Sequence, residues 1–214
     1  MCIEIHLHIY KNTFIDLNCV YKYLSNFELV RFNKIVFSKD KYLYAMSKIL
    51  LKKIICESFN VEIKDIVIDF TAEGKPYLKW PNKDFFFNIS HTEGAIAIAI
   101  APFQIGVDVE NVYNRIFSDR ILKYVFHDSE ISSINVSFNK NKEKFLFWTR
   151  KEAILKASGI GLIDDLHLIN TNLYNVFMFK KFWKIISYDL KKIGIVCSLS
   201  YEGDSDFPVR FYLK

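Results

Sequence analysis

Asp108 and Glu110 stand two residues apart in Gly106-Val-Asp108-Val-Glu110. On a strand, that spacing projects both carboxylates from one face, while Val107 and Val109 take the other. Glu152 and Lys156 stand four apart in Trp148-Thr-Arg-Lys151-Glu152-Ala-Ile-Leu-Lys156, which makes them neighbours on a helix. Adjacent carboxylates repel unless a cation or basic group answers them. The Asp108/Glu110 pair therefore reads either as a solvent-facing edge or as ligands for a hard divalent ion such as Mg²⁺. Glu152 and Lys156 read either as a surface ion pair worth a few tenths of a kcal/mol or as part of the same site. Lys75, in Glu73-Gly-Lys75-Pro76, sits on a rigid turn, and Ser90-His91 ends a strand over residues 85–92. Arg31 and Lys34 lie just ahead of a helix and are further candidates for a phosphate contact. Together these groups form a coherent set for handling a phosphate ester. Asp108, Glu110 and Glu152 would hold Mg²⁺, and Lys156, Lys75 and His91 would supply positive charge or hydrogen bonds. Glu152 is also placed to take a proton, directly or through water.

The elements that must position these groups follow from periodicity. Ile3, Ile5, Leu7 and Ile9 alternate with Glu4, His6 and His8, which predicts an amphipathic strand. Residues 14–59 read as helical in at least two pieces, with Ser38 and Asp40 as expected caps of the second. A turn and strand follow over 61–70. The Ala95–Ala101 run alternates Ala with Ile and predicts a strand pressed closely against a helix. Residues 104–110 form the next strand, 135–141 an exposed loop, and 166–214 short strands: Val176–Phe179, Trp183–Ile186, Gly194–Ser200 and Val209–Leu213. On the helix around Glu152, Leu146, Phe147, Ala153, Ile154 and Ala157 share one side, and Arg150 falls inside that apolar stripe. Each half of the chain has a long helical region followed by short strands, a hint of internal duplication.

Of the 214 residues, 51% are hydrophobic and 16% aromatic, enough for a packed core and too much for disorder. Four scattered cysteines with no CxxC argue against a zinc site or disulfide framework and point to free thiols in a reducing compartment. The N-terminus lacks the features of a signal peptide, and the longest apolar run is too short to span a bilayer. The expectation is a soluble, cytoplasmic protein without a membrane partner. The formal net charge of +5 is a mild bias towards acidic partners.

The motifs Gly74-Lys75-Pro76, Asn88-Ile-Ser90-His91, Gly106-Val-Asp108-Val-Glu110, Trp148-Thr-Arg-Lys151-Glu152-Ala-Ile-Leu-Lys156 and Gly159-Ile-Gly161-Leu162 occur in the order and near the spacing of a known family. Over about residues 31–165 the chain resembles the 4′-phosphopantetheinyl transferases of the long, surfactin-synthetase-activator type. The resemblance implies Mg²⁺-dependent transfer of the 4′-phosphopantetheine arm of coenzyme A to a serine of an apo carrier protein, releasing adenosine 3′,5′-bisphosphate. It implies an α+β fold of two similar α/β halves related by a pseudo-twofold, here 1–105 and 106–214, with the coenzyme between them. Asp108, Glu110 and Glu152 would bind the metal, with Glu152 and Lys156 catalytic. Ser90 and His91 would contact the 3′-phosphate region, Lys75 the adenine or ribose end, and Lys151, Lys156 and Arg31 the phosphates. One position departs from the family. The helix after Asp40 usually carries a basic residue about three positions on, where this chain has Leu43 followed by Tyr44.

The rival classes fit less well. A metal-dependent nuclease would carry Glu-x-Lys after its acidic residue, but Glu110 is followed by Asn111 and Val112. A simple nucleic-acid binder gives no reason for Asp108-x-Glu110, which repels phosphate without a metal. A non-catalytic relative that binds carrier protein or coenzyme is the remaining alternative. The carrier would present an acidic helix, with Phe126 or its neighbours as an apolar docking contact. A chain already containing both halves is expected to act as a monomer.

Overall fold

Alternation governs the first strand: Ile3, Ile5 and Leu7 are fully buried, while Glu4, His6 and His8 on the opposite face are half-buried. The structure, a computed structural model, describes residues 2–81, 84–113 and 116–214. Its elements are β1 (Ile3–Ile9), α1 (Leu17–Tyr23), α2 (Asn26–Lys34), α3 (Ser38–Phe59), β2 (Val67–Phe70), β3 (Pro76–Trp80), β4 (Phe86–Thr92), β5 (Ala95–Ala101) and β6 (Ile105–Asn111). The chain continues with α4 (Leu122–Val125), α5 (Asp128–Val136), α6 (Lys140–Ser158), β7 (Asn175–Met178), β8 (Lys181–Leu190), β9 (Ile195–Glu202) and β10 (Val209–Leu213). The architecture is α+β, with one four-stranded sheet in the order β10-β1-β5-β4, another in the order β6-β9-β8-β7, and the β2-β3 hairpin apart.

The two large sheets share a plan. Each has a first strand (β1 or β6), then a long helix (α3 or α6), then a hairpin (β4-β5 or β8-β9) whose second strand pairs antiparallel with the first. The expected boundary at 105/106 lies just after Ile105, the first residue of β6. The last strand, however, crosses back: β10 pairs parallel with β1, Ile3 opposite Val209. Residues 106–214 are therefore not a self-contained unit.

The main core lies between the sheets. Ile3, Ile5 and Leu7 with Ala95, Ala97, Ala99 and Ala101 meet Val107, Val109, Ile195, Cys197 and Leu199. The isoleucines of the same run, Ile96, Ile98 and Ile100, point the other way and pack with Leu43, Leu51 and Ile55 of α3. The expected helix contact is present, made by the isoleucine face. The small face of the Ala/Ile run is turned to the other sheet, and its lack of bulk brings the two sheets together.

Three further expectations change. The long helix begins at Ser38 with Phe37 as its N-cap, and neither Ser38 nor Asp40 is its N-cap residue. Leu43, at the position where a basic residue was expected, is only 7% exposed and packs into the core beneath α3. Phe126 is 1% exposed and packs with Phe117, Phe145 and Phe147, so Phe126 itself offers no docking contact, whereas its neighbour Tyr124 is exposed.

The second helix sits unusually close to its sheet. A Cβ on Gly106 would lie 2.1 Å from the Ala153 carbonyl oxygen and 2.3 Å from the Ala157 nitrogen. Only a residue with no side chain lets the α6 backbone rest on β6 at that distance. Gly106→Ala is therefore expected to cost at least about 3 kcal/mol, the upper end for overpacking, because the clash is with backbone. A urea midpoint equal to that of the parent chain would contradict this contact.

Candidate active site

The close seat of α6 brings its middle turns over the edge of β6. Glu152 and Lys156 are half-buried there, and α6 is enclosed on most sides instead of one, so neither residue lies on a solvated face. Lys156 does not spend its ammonium on Glu152. It donates to Asp108 Oδ1 at 2.6 Å and to Ser90 Oγ at 3.0 Å. Ser90 in turn donates to the same Asp108 oxygen at 2.7 Å. The other oxygen, Oδ2, is buried with no hydrogen-bond partner among the described residues. Glu110 Oε2 accepts from Thr92 Oγ1 at 3.0 Å. Burial first, and then the charges of Asp108 and Glu110 against the opposing pull of Lys156, hold the Glu152 carboxyl above the usual range. His91 stands beside this cluster, where partial loss of hydration and then the Lys156 charge lower its pKa.

Lys75 closes a second side. Its stem lies against Gly159, and its ammonium donates to Gln104 Oε1 at 2.9 Å and the Ala157 carbonyl at 3.0 Å. Desolvation lowers its pKa to about 8. It lines a cavity of about 310 Å³ shared with Gly74, Asn88, Glu152, Lys156 and Gly161. Thus the Gly-Lys-Pro turn, the glycine loop after α6 and the Glu152/Lys156 turn, far apart in sequence, share one recess. Arg31 is not among the residues lining it. That side chain is exposed on α2, with its guanidinium 5.6 Å from the Tyr44 ring centroid.

Lys151 departs from its expected place beside the phosphates. It is 0% exposed. Its ammonium bonds Glu130 Oε2 at 2.9 Å and the carbonyls of Leu166 and Ile169. Glu130 is equally buried and also accepts from the Thr171 main-chain N–H and hydroxyl at 2.7 and 2.6 Å. Lys151 therefore ties α6 to α5 and to the 166–171 segment. Arg150, anomalous in the apolar stripe, does similar work. It donates to Ser187 Oγ at 3.0 Å and to the Thr171 carbonyl at 2.9 Å, and lies over the Tyr174 ring. Ser187 continues through Ser198 to Thr149, a hydroxyl chain under the helix. No sequence spacing marks these partners, which are brought together only by the fold.

Among the described residues, no three His, Cys, Asp or Glu side chains stand close enough to hold a metal ion as placed. In kind, the donor set nevertheless fits a hard divalent cation. Asp108, Glu110 and Glu152 are oxygen donors, Asp108 Oδ2 is buried without a hydrogen-bond partner among the described residues, and the Glu152 pKa is raised first by burial and then by the neighbouring Asp108 charge, which a cation would offset.

Two family models match in succession. The model for the N-terminal part of 4′-phosphopantetheinyl transferases covers residues 10–103, and that of the 4′-phosphopantetheinyl transferase superfamily covers residues 104–182. The chain belongs to the 4′-phosphopantetheinyl transferase superfamily. It is similar to the 4′-phosphopantetheinyl transferase HetI of Nostoc sp., 29% identical over 144 residues, 65% of this chain and 61% of the relative. It is also similar to the 4′-phosphopantetheinyl transferase gsp of Aneurinibacillus migulanus, 27% identical over 126 residues, 58% and 51% of the two chains. A third relative is the human L-aminoadipate-semialdehyde dehydrogenase-phosphopantetheinyl transferase, 28% identical over 162 residues, 68% and 52%. The chain thus spans about half to three-fifths of the length of these relatives. Among the described residues, no helix is long and apolar enough to cross a membrane.

Two outcomes follow for the lysines. Lys151→Met strands a buried Glu130 and is expected to lower stability by about 3–5 kcal/mol, partly regained in the Glu130→Gln/Lys151→Met double variant. Unchanged stability with weakened coenzyme A binding would return Lys151 to the phosphates. For Lys75, the folded pKa lies below the unfolded one, so the unfolded chain binds more protons and stability rises with pH between about 8 and about 10.4. Over that window the parent chain should gain stability relative to Lys75→Met. A constant difference in urea unfolding from pH 7 to 10 would mean that Lys75 is an ordinary solvated lysine.

Proposed function

We propose that this chain transfers the 4′-phosphopantetheine arm of coenzyme A to a serine hydroxyl of an apo carrier protein, releasing adenosine 3′,5′-bisphosphate. The observation that carries the reading is the meeting of Glu152 and Lys156 with Asp108 and Ser90 at one edge, in a chain of this superfamily. Asp108, Glu110 and Glu152 would hold Mg²⁺. Once bound, the ion supplies positive charge at the pyrophosphate and its leaving oxygen.

The chain's own groups account for the remaining steps. The serine oxygen forms a bond to the phosphorus carrying the pantetheine arm, and the bond from that phosphorus to the bridging oxygen breaks. The bridging oxygen's electron pair leaves with the adenosine bisphosphate. Glu152 takes the serine proton directly or through water, and its raised pKa makes it a better base than a solvated carboxylate. Lys156 offers an ammonium to a phosphate oxygen from its place beside Asp108. Lys75, which lines the recess, and His91, near Lys156 and Asp108, would orient the coenzyme. The net charge of +5 suits a carrier with an acidic helix beside its serine and would make encounter salt-sensitive. The enzyme would act as a monomer, since one chain supplies both halves of the site.

Intact mass of a purified apo carrier protein, incubated with the chain, coenzyme A and Mg²⁺, tests the reading. The expected result is a gain of one phosphopantetheine group that EDTA prevents. Glu152→Gln should cut the rate roughly a hundredfold to ten-thousandfold, as expected for loss of a general base, while leaving the thermal transition in place. No mass gain with fatty-acid, polyketide and peptide carriers, with coenzyme A still bound, would instead identify a non-catalytic relative.

A further inference from the structure

Strand β4 meets β6 through side chains. β6 is the edge of its sheet, so half of its polar main-chain groups lack a ladder partner. The inner face of β4 supplies partners for two of them. Asn88 Oδ1 accepts from the Val107 N–H at 2.9 Å, and Thr92 Oγ1 accepts from the Asn111 N–H at 3.3 Å. The same face reaches the carboxylates: Ser90 donates to Asp108 and Thr92 to Glu110. Residues 88, 90 and 92 share a face because strand side chains alternate, and so do 108 and 110. The two strands therefore engage as a comb, hydroxyl to carboxylate at matching two-residue steps.

That engagement bears on what Ser90 is for. A serine hydroxyl has one proton, and here it is given to Asp108, while the oxygen accepts from Lys156. Ser90 is also buried. It has no proton left for a phosphate oxygen. The Thr92 proton is likewise committed to Glu110. A carboxylate fixed through one oxygen has its rotamer set before a ligand arrives, and such partners strongly affect metal affinity.

We infer that Ser90 and Thr92 are positioning residues that reach from the first sheet to hold one oxygen each of Asp108 and Glu110, leaving Asp108 Oδ2 turned to a divalent cation. The inference rests on the transferase reading in one respect, that these carboxylates take such an ion. It differs from the family-based expectation in making Ser90 a partner of Asp108 instead of a contact to the coenzyme's 3′-phosphate.

The test uses the full chain with Mn²⁺ as the probe. Free Mn²⁺ is read by electron paramagnetic resonance at saturating coenzyme A, and coenzyme A affinity is read separately by calorimetry in EDTA. Ser90→Ala and Thr92→Val should each weaken Mn²⁺ binding roughly tenfold or more, as expected when a ligating carboxylate loses its hydrogen-bonding partner. Their metal-free coenzyme affinity should be unchanged. Thr92→Ser, which keeps the hydroxyl, should restore Mn²⁺ binding. If Thr92→Val does not fold, Ser90→Ala, which removes one oxygen and adds no volume, decides the matter. Equal Mn²⁺ affinity in parent and variants would overturn this inference alone. Loss of coenzyme affinity in EDTA with Mn²⁺ binding intact would make Ser90 a coenzyme contact. A parent chain that binds no Mn²⁺ would overturn the cation reading together with this inference.

Discussion

Helix α6 rests on β6 with its backbone where a side chain would ordinarily stand. Gly106 permits that approach, and the two short side chains opposite, Ala153 and Ala157, complete it. The contacts that α6 makes at the β6 edge depend on the resulting distance. With α6 raised by one methyl group, the Lys156 ammonium would not meet Asp108 at 2.6 Å. The constraint is steric, but its effect is electrostatic. Closeness strips part of the water from Glu152, and a half-buried carboxyl responds more strongly to its neighbours than a solvated one.

A helix held that close must be fixed in rotation and along its axis, and polar groups do this on its other sides. Lys151 with Glu130, and Arg150 with Ser187 and Thr171, are buried pairings whose members leave little freedom of register. Removing one partner of such a pair leaves a charge or donor stranded, so sliding the helix by a turn is costly. Beside them, the apolar packing of Ile154, Leu155 and Ala157 with Trp183 and Ile185 supplies area but little orientation. The nonpolar contacts hold the helix down, and the buried ions determine which residues look towards β6.

Much of this was legible in the chain. Alternation located β1, β5 and β6, and the i, i+2 and i, i+4 spacings identified the two carboxylates and the Glu152/Lys156 turn. Spacing within one element cannot tell which other element covers it, and that is where the reading missed. The Ala/Ile run contains both a sheet-facing and a helix-facing surface, and only the fold assigns them. Lys151 and Lys156 look alike in sequence on one helix, yet one is sealed inside with Glu130 and the other reaches Asp108. Leu43 was conspicuous as a departure from the family pattern and is ordinary as a core residue. Asn88 and Thr92 are plain polar residues in sequence. Their partners lie on a strand of the other sheet, and nothing local to residues 85–92 announces them.

The parallel pairing of β10 with β1 places nearly the whole chain between two hydrogen-bonded neighbours, Ile3 and Val209. A ribosome releasing this protein would deliver β1, α3, β4 and β5 early, and their sheet would wait with one edge open until β10 followed. Until β10 is made, that sheet carries an unpaired strand edge, the kind of surface that recruits other strands. Joining the first and last strands also means that a break in the chain between the halves would leave both pieces bound through that pair. The fold is closed like a clasp, with its fastening at the two ends of the sequence and its working edge in the middle.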